Sequence, residues 1–523
     1  MSAAQPTAEN TRLGPLPLWC PSAVRAERLL FWLTVLAAAG MMWLAPRLPM
    51  VDLPQHVAQV ALWHDLLTGQ SAFAGLVRIN LLTPYLIGYG LMLPLTYVVT
   101  ANVTAKIVLT LAFLAFVAAC QAIRRETGGG RWLDWLFLIS FYGYCWKLGF
   151  MTFLVASPLG LLFLLLALRQ ARQPDWARGA VLVATGLVLL FSHGLMFLGA
   201  VFLGGLLMLD EAFQERFNRA FRHFAPYVVL ALAGIALRLA TQEQTGAVQM
   251  AEFAYGLPIW QRPAIWLISI ADMDNAGTPL LALATLAALG TAFLPGARRL
   301  ARRGMVLLAG LVVLLCLLPS EALQTGMIYQ RFALFLPPFI AFALAGRDLR
   351  LLHAAIAAPA CWLVLGIQAS RIIGFAGESQ SFETVLQAAE PGKRALAVIF
   401  DPESPAAASS HAYLHYAAWY QADKHGFVDF NFAAFHPQVV RFRPGMVPGI
   451  GETFAFAPQR FTFADFDPLK YEYFFLRGIG PAIDSFRSAS PCALIQMAAD
   501  GPWSLMKRGD CTGQTAAATR SPG

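Results

Sequence analysis

The chain has 523 residues, of which 58% are hydrophobic and only 13% are charged. Soluble domains carry about 25% charged and about 45–50% apolar residues, so this composition excludes an ordinary soluble enzyme. The formal net charge of +8 does not indicate nucleic-acid binding, because the arginines lie between apolar runs and no basic stretch is interleaved with aromatic residues. The sequence therefore predicts an integral membrane protein that binds the lipid bilayer and no nucleic acid.

Apolar runs and the arginines between them predict the topology. A spanning helix needs about 20 apolar residues, or somewhat fewer inside a bundle. Eleven runs qualify: roughly 29–46, 103–122, 132–149, 152–168, 179–193, 195–210, 225–241, 279–295, 304–319, 332–346 and 351–369. Arginines cluster in alternate connections, near residues 12–28, 124–131, 169–178, 216–222, 298–303 and 347–350. Cationic residues are retained on the cytoplasmic side, so we expect a cytoplasmic N-terminus and an outer C-terminus.

Two segments near the N-terminus need separate treatment. Residues 1–28 have no signal-peptide h-region, so they are expected to form a cytoplasmic tail before a retained first span. Residues 81–100 are apolar enough to span, but a crossing there would place the later arginine clusters outside. Their prolines and glycines also disfavour a continuous helix. We expect an in-plane or re-entrant element within a long first outer loop, residues 47–102.

The composition changes near residue 370, where charged residues, proline and glycine return. The predicted fold is therefore an α-helical polytopic membrane domain of about eleven transmembrane helices over 29–370, followed by a small extracytoplasmic α/β domain over 371–523. Within that domain, β-rich runs predict strands and polar periodic runs predict helices. The strands are expected at 395–400, 471–476 and 492–498, and the helices at 382–390 and 410–424.

The outer domain contains two cysteines and a pair of histidines that could bind metal. In an oxidising compartment, a bridge between Cys492 and Cys511 is favoured over two free thiols. His411 and His415 have i,i+4 spacing on a predicted helix. No HExxH motif or cysteine ligand accompanies them, so they do not indicate a zinc site.

The first outer loop begins PMVDLPQHVAQVALWHDLL, with Asp52 a few residues beyond the first span. An ionisable group at the bilayer edge is costly unless it is paired or used, so a functional role is the default interpretation. The alternative is a helix N-cap, because Asp52 stands before Pro54 as a capping residue would. His56 lies on the predicted helix that follows and can orient Asp52 or a substrate.

In these features the chain resembles the GT-C superfamily of membrane glycosyltransferases. The shared features are many spans, a long first outer loop that opens with an acidic residue, a helix behind it, and a soluble outer C-terminal domain. The resemblance implies a lipid-phosphate-linked sugar donor, with the acidic residue, here Asp52, as catalytic base or metal ligand. The usual paired acids are absent, since Leu53 and Pro54 follow Asp52. Use of Mg²⁺ or Mn²⁺ therefore stays open.

Four further side chains near the predicted outer face are candidates for substrate binding. Arg331 stands at the mouth of a helix, where its guanidinium can bind a polyprenyl phosphate or can simply snorkel to the interface. Lys147 is a cation on the side that has few cations, next to aromatic residues typical of a membrane belt. His193 lies in a tight turn and is either a structural residue or a substrate contact. Arg262 lies in a second long outer loop.

The same second loop contains Asp272 and Asp274. Their spacing resembles an acid pair that binds a divalent ion on a diphosphate, although a match of three residues has low specificity. A solvated loop is the alternative interpretation. The pair is therefore the predicted metal site, if the chain has one.

Nothing in the sequence matches a P-loop, a dinucleotide fingerprint or a nucleophile elbow. We predict an inverting glycosyltransferase of the cytoplasmic membrane that transfers a sugar from a polyprenyl phosphate to an extracytoplasmic glycan, lipid or protein. The alternatives are a transporter or flippase, and a non-catalytic component of cell-envelope assembly. A transporter would place ionisable residues at mid-membrane on discontinuous helices, whereas here they gather at one face.

Overall fold

A computed structural model describes residues 21–212, 220–241, 253–272, 279–294, 300–322, 325–344, 351–435, 437–448, 456–463 and 467–511. The helices are α1 (Pro21–Gly40), α2 (Leu53–Thr68), α3 (Leu86–Gly90), α4 (Ala101–Thr127), α5 (Tyr144–Lys147), α6 (Met151–Arg172), α7 (Trp176–Ser192), α8 (Gly194–Ala212), α9 (Ala220–Ala240), α10 (Arg262–Ala271), α11 (Pro279–Gly290), α12 (Arg302–Leu317), α13 (Ile328–Arg331), α14 (Leu336–Ala343), α15 (Leu351–Glu378), α16 (Gln380–Ala388), α17 (Trp419–Lys424) and α18 (Gly480–Ala489). The strands are β1 (Val77–Ile79), β2 (Phe253–Ala254), β3 (Glu321–Ala322), β4 (Arg394–Ile399), β5 (Phe427–Asp429), β6 (Val440–Phe442), β7 (Tyr473–Arg477), β8 (Cys492–Asp500) and β9 (Trp503–Cys511).

Several of the described helices are long and apolar enough to cross a membrane, as predicted for a polytopic protein. Five meet that requirement by length and composition: Ser22–Trp43, Ala101–Thr127, Met151–Arg172, Gly194–Ala212 and Leu351–Ala388. Other apolar helices, including α7 and α9, are shorter than 18 residues over their apolar part. These lengths support a multi-pass membrane protein, but they do not establish the predicted number of about eleven spans.

One predicted span is not a single helix. The run 132–149 consists of a 3₁₀ segment, Arg131–Phe137, and the four-residue helix α5. Gly143 lies at the break, where a Cβ atom would be only 2.1 Å from the carbonyl oxygen of Ile270, so the backbone packs directly on α10. In this run the prediction of one spanning helix was wrong. The run 332–346, by contrast, belongs to a continuous apolar helical segment, Ile328–Ala343, which is shorter than 18 residues.

The segment 81–100 contains only short elements, in agreement with the sequence. It holds α3 and a 3₁₀ segment, Leu93–Tyr97. Neither is long enough to cross a bilayer, which needs about 20 helical residues. The segment instead contributes Tyr85 and Tyr89 to the region around Asp52.

The outer domain contains a mixed five-stranded sheet in the order β5-β4-β7-β9-β8. β4 is parallel to both β5 and β7, whereas β9 is antiparallel to β7 and β8. Three of these strands are those predicted from the sequence, and the Cys492–Cys511 disulfide joins β8 to β9. α15 continues to Glu378, past the predicted boundary at residue 370.

The outer domain packs on the first outer loop. β1 of the loop pairs antiparallel with β6 of the domain, and Gln59 on α2 accepts a hydrogen bond of 3.0 Å from the backbone of Val440. Arg47, at the end of the first span, donates to Glu383 at 2.9 Å and to Asp423 at 2.8 Å. These contacts fix the N-terminal end of α2 beneath the outer domain.

At the opposite end of the bundle, the arginine-rich connections come together. α6 begins beside α2 and ends at Arg172, about 33 Å away for a helix of 22 residues. Carboxylates pair with the arginines there. The pairs are Arg169–Glu126, Arg172–Glu126, Arg302–Asp210 and Arg303–Glu211, at 3.3, 2.6, 2.7 and 2.7 Å.

Candidate active site

Asp52 lies at the start of α2, where its backbone is held by the segment after α5. Its amide donates to the carbonyl oxygen of Leu148 at 3.1 Å. Gly149 has a φ of +76°, and a Cβ there would lie 2.6 Å from the Asp52 nitrogen, so this approach requires glycine. Asp52 occupies the N-cap position of α2, but its side chain makes no capping hydrogen bond. The Asp52 carboxylate therefore does not cap α2, as the alternative interpretation would require.

The Asp52 side chain lines a cavity of about 530 Å³ between the first outer loop, the helical bundle and the outer domain. The outer domain supplies much of one wall, which is rich in aromatic and histidine side chains. The lining residues are Val51, Asp52, His56, Tyr85, Leu148, Phe150, Thr152, Glu321, Ala322, Thr325, Gly326, Met327, Arg331, His411, Leu414, His415, Phe430, Phe432, Phe435, Pro437, Gln438 and Phe456. This volume is within the range typical of small-molecule sites.

Arg331 lines the same cavity, as the last residue of α13. It is 8% exposed, and its guanidinium carbon lies 3.6 Å from the centroid of the Phe150 ring. One nitrogen, Nη2, donates to the carbonyl oxygen of Gly326 at 2.9 Å, while Nε is buried without a hydrogen-bond partner. Within the described residues, no carboxylate lies at ion-pair distance from Arg331. A buried charge in this state is costly unless a ligand compensates it.

His56 contributes a neutral imidazole to the cavity wall. Its Nδ1 lies 2.6 Å from the Tyr89 hydroxyl, which donates to Gln438 at 2.6 Å. Because that hydroxyl has one proton, it accepts from Nδ1–H of His56, and Nε2 is left as an acceptor. Burial, together with the positive charge of the nearby Arg331, lowers the pKa of His56 to about 3. His56 can therefore accept a hydrogen bond from a substrate hydroxyl at neutral pH.

His193 lies close to this region but does not line the cavity. It is 1% exposed, and its ring packs against Tyr85 and Phe153 with centroids 5.0 and 5.3 Å away. Its Nδ1 accepts a hydrogen bond of 3.4 Å from the amide of Met196. This environment gives His193 a structural explanation, and its predicted contact with substrate stays a prediction.

Lys147 and Asp272 form an ion pair outside the cavity lining. Nζ of Lys147 lies 3.0 Å from Asp272, and Arg371 contacts the second carboxylate oxygen at 3.2 Å. All three side chains are buried, and Lys147 is thereby neutralised by protein. Its carbonyl oxygen accepts a hydrogen bond from the amide of Val51, next to Asp52. Lys147 therefore supports the site through its backbone, while its predicted binding of substrate stays a prediction.

Arg262 is held by backbone carbonyl groups. Its guanidinium donates to Tyr255, Cys316 and Leu318 at 2.7, 2.7 and 2.6 Å, and it lies over the Tyr329 ring. Two of these carbonyls belong to the C-terminal end of α12, where a cation is favourable. Arg262 does not line the cavity, so the geometry gives its predicted substrate-binding role no support.

The residues described do not form a donor set for a divalent cation. Asp272 is occupied by Lys147 and Arg371, and Asp274 lies outside the described residues. In the described part of the chain, no three His, Cys, Asp or Glu side chains come together as metal ligands. Mg²⁺ and Mn²⁺ prefer several oxygen ligands.

Comparison with solved structures matches the chain to the arabinofuranosyltransferase AftD from mycobacteria, a glycosyltransferase of the GT-C type. The TM-score is 0.54 with 15% sequence identity, and the match covers 92% of this chain. The chain shares the fold of that structure. It spans 40% of the length of AftD, and at this identity the likeness concerns the fold alone. Neither protein-family models nor curated proteins match the sequence.

The cavity also contains residues that the sequence analysis did not predict as site residues. His415 places Nε2 at 3.5 Å from Oδ1 of Asp52. His411, Phe430 and Phe432 also face the cavity from the outer domain. For the two histidines, the only sequence signal is their i,i+4 spacing, which bears on zinc binding. The two phenylalanines have no signal of this kind. Their proximity to Asp52 depends on how the outer domain docks, which local patterns do not show.

Proposed function

We propose that the protein is a glycosyltransferase that transfers a sugar from a polyprenyl-phosphate donor to an extracytoplasmic glycan, lipid or protein. The observation that carries the proposal is that Asp52 and Arg331 line one cavity. One is a carboxylate and the other is a buried cation without an ion-pair partner in the described residues. A phosphate leaving group and an acceptor hydroxyl need these two complementary groups within one site.

Arg331 is suited to the phosphate of the donor. Its guanidinium is held over Phe150 and retains a buried nitrogen, Nε, for a further hydrogen bond. Arginine binds phosphate oxygens through parallel hydrogen bonds, and such charge-assisted bonds are stronger than neutral ones. During transfer the phosphate gains negative charge as the bond to the sugar breaks, so a fixed cation lowers the energy of the transition state.

Asp52 is suited to act as the general base. In the proposed step, the acceptor oxygen attacks the anomeric carbon while its proton passes to the Asp52 carboxylate. The bond between that carbon and the phosphate oxygen breaks, and the polyprenyl phosphate leaves with the electron pair. One displacement inverts the anomeric configuration. A positioned base typically contributes about 10²–10⁴-fold to the rate.

The remaining walls are suited to hold a sugar between the two groups. Phe430 and Phe432 present aromatic surfaces, which commonly pack against the apolar faces of small ligands. Nε2 of His56 is an acceptor for a hydroxyl. By the arginine distribution, we place the cavity on the outer side of the cytoplasmic membrane. The likeness of the fold to that of a glycosyltransferase supports the proposed activity.

The test uses full-length protein in nanodiscs with farnesyl-phosphate sugars that carry arabinofuranose, mannose, glucose or galactose. Arabinofuranose is included because AftD is an arabinofuranosyltransferase. We expect release of farnesyl phosphate from at least one donor in the presence of a glycan acceptor. Asp52→Asn should lower that rate by about 10²–10⁴-fold, because the proton acceptor is removed. Glycoside products would be analysed for anomeric configuration.

Asp52→Asn should leave folding intact, because Asp52 makes no capping bond that the change would break. The melting temperature of the variant checks this. Full activity in the variant would remove Asp52 from the mechanism. Donor binding by the wild type without any transfer would instead favour a transporter or an assembly component.

A further inference from the structure

His415 reaches Asp52 from a different domain. It lies between β4 and α17 of the outer domain, with its side chain 8% exposed, and Nε2 is 3.5 Å from Oδ1 of Asp52. That distance is the outer limit of a hydrogen bond. Catalytic hydrogen bonds are often long before the substrate binds and shorten in the substrate complex. At this distance, His415 is close enough to orient the carboxylate of a general base.

The imidazole of His415 is fixed by the packing around it. Its ring stacks on Phe430 with centroids 5.8 Å apart and an interplanar angle of 28°, and it meets the edge of Phe432 at 5.6 Å. Gln55, three residues after Asp52, secures both phenylalanines through their backbones. Its amide donates to the Phe430 carbonyl at 3.0 Å and accepts from the Phe432 nitrogen at 3.1 Å. The first turn of α2 therefore positions both residues of the contact: Asp52 directly, and His415 through the two phenylalanines.

His415 is neutral in this environment. Burial, together with the neighbouring His411, lowers its pKa to about 3. A neutral ring can donate one N–H to the carboxylate without adding a formal positive charge beside it. A cation at the same place would reduce the basicity of Asp52 more strongly. The contact can therefore orient the carboxylate and leave it basic.

We propose that His415 is a positioning residue for Asp52: its Nε2–H holds one carboxylate oxygen so that the other faces the acceptor hydroxyl. This inference rests on the proposed function and deepens it. The role resembles that of a group that orients a catalytic base in other enzymes, with the two partners exchanged. It makes the outer domain a part of the catalytic site and not merely a cover over it.

The experiment compares His415→Phe with His415→Gln in the farnesyl-phosphate sugar assay. Phenylalanine keeps the stacking on Phe430 but removes the N–H donor, whereas glutamine places an amide N–H near the position of Nε2. We expect His415→Phe to lower kcat by about ten- to hundredfold, since a misplaced reacting group costs on this order. The donor KM should change by less than about twofold, because the ring is not assigned to substrate binding. His415→Gln should recover most of kcat.

His64→Phe is the matched control, because His64 also lies beside a carboxylate on α2. Its Nδ1 is 3.4 Å from Asp65, and its ring packs edge-on against Tyr97. The control removes a histidine N–H near a carboxylate outside the cavity and should leave kcat unchanged. If His415→Phe melts early, His415→Asn replaces it, since the shorter amide lies near the Nδ1 position and should not restore kcat.

The outcomes separate this inference from the proposed function. Wild-type kcat in a folded His415→Phe protein, together with an inactive Asp52→Asn, would overturn the positioning role alone. Equal kcat losses in the Phe and Gln variants would also overturn it, because packing and not the N–H would then be responsible. Full activity in Asp52→Asn would remove Asp52 from the mechanism and would overturn the positioning role with it. Donor binding by the wild type without any transfer would overturn the proposed function itself.

Discussion

The two ends of the helical bundle treat buried and interfacial charge differently. At one end, arginines such as Arg302 and Arg303 meet carboxylates at 2.7 Å. At the other, Arg331 lines a cavity, and no carboxylate of the described residues lies at ion-pair distance from its guanidinium. Insertion depends on the positive charge of the loops, so we expect the paired arginines to mark the cytoplasmic end. The arginine without a pair is where we propose that an anionic ligand binds.

A second comparison, between Arg262 and Arg331, shows that burial alone does not identify a ligand-binding cation. Both are less than 10% exposed. Within the described residues, Arg262 donates to several carbonyl groups around the end of α12, whereas Arg331 makes one backbone hydrogen bond and has a buried Nε without a partner. Two features distinguish Arg331 from Arg262. Arg331 has a donor nitrogen without a hydrogen-bond partner, and it lines the cavity.

The largest expected effect separates the two ends by accessibility. In a protein without its other free cysteines, Thr127→Cys marks the arginine-rich end and Met446→Cys marks the outer domain. A membrane-impermeant maleimide applied to intact cells should label the second cysteine and not the first, because the arginine clusters are predicted to be cytoplasmic.

Permeabilised cells are the control for this labelling, since both cysteines should then react. Protection of position 446 with labelling of position 127 would reverse the predicted orientation. Equal labelling of both in intact cells would show that the comparison between the two ends does not correspond to two sides of a membrane.

The next effect concerns the cation without a pair. Arg331→Lys keeps the charge but loses the planar fork, so binding of farnesyl phosphate should weaken by more than about tenfold, or about 1.4 kcal/mol. Binding is measured by titration into protein in nanodiscs. Arg302→Lys, at the paired end, is the control and should change the affinity by less than about twofold, because its partner is Asp210 at an exposed site.

Equal affinities in wild type and Arg331→Lys would make Arg331 an interfacial anchor that tolerates any cation. Lys147 would then be the next candidate, provided that Asp272 releases it when donor binds. A loss of the same size in Arg302→Lys would contradict the distinction between the two ends.

The smallest effect is a dependence of stability on pH that originates at the cavity end. The pKa values of His56 and His415 are lowered to about 3 by burial, whereas an unfolded histidine titrates near 6.5. Below pH 6.5 the unfolded chain binds protons that the folded protein excludes, so this stability is present above pH 6.5 and is lost as the pH falls towards 3.

The melting temperature in detergent should therefore be a few degrees lower at pH 5 than at pH 7.5, with part of that difference due to His415. His415→Gln removes the titrating group and should reduce the difference. An unchanged difference in the variant would mean that the pKa of His415 is the same in the folded and the unfolded protein. A larger difference in the variant would mean that His415 is protonated when folded and forms an ion pair with Asp52.

Much of the fold could be predicted from the sequence because its determinants are local. Hydropathy identified the long apolar helices, and composition located the outer α/β domain with its strands and disulfide. The run 132–149 failed because hydropathy does not distinguish a membrane-spanning helix from a segment buried against other backbone. Two glycines in that run lie at breaks: Gly143 permits the contact with α10, and Gly149 has a positive φ.

For the candidate site, too, local features could be predicted from the sequence, whereas contacts between distant segments could not. Asp52, His56 and Arg331 stood out as polar groups at the edges of apolar runs, and the structure brings all three to one cavity. Lys147, Asp272 and Arg262 had the same local signature, yet they satisfy one another or backbone carbonyls. Which charges are compensated depends on contacts between distant segments, and a single sequence does not contain that information in readable form.

The hydrogen bond between Val440 and Gln59 joins residues 381 positions apart. In the predicted topology, Asp52 reaches the membrane near the beginning of synthesis, and the wall that contains His415 is exported only after the spans are in place. We expect a nascent chain halted after α15 to be inserted and yet to lack a closed cavity. On the proposed function, activity would begin with the docking of the final domain, and an unfinished protein would leave the activated lipid intact.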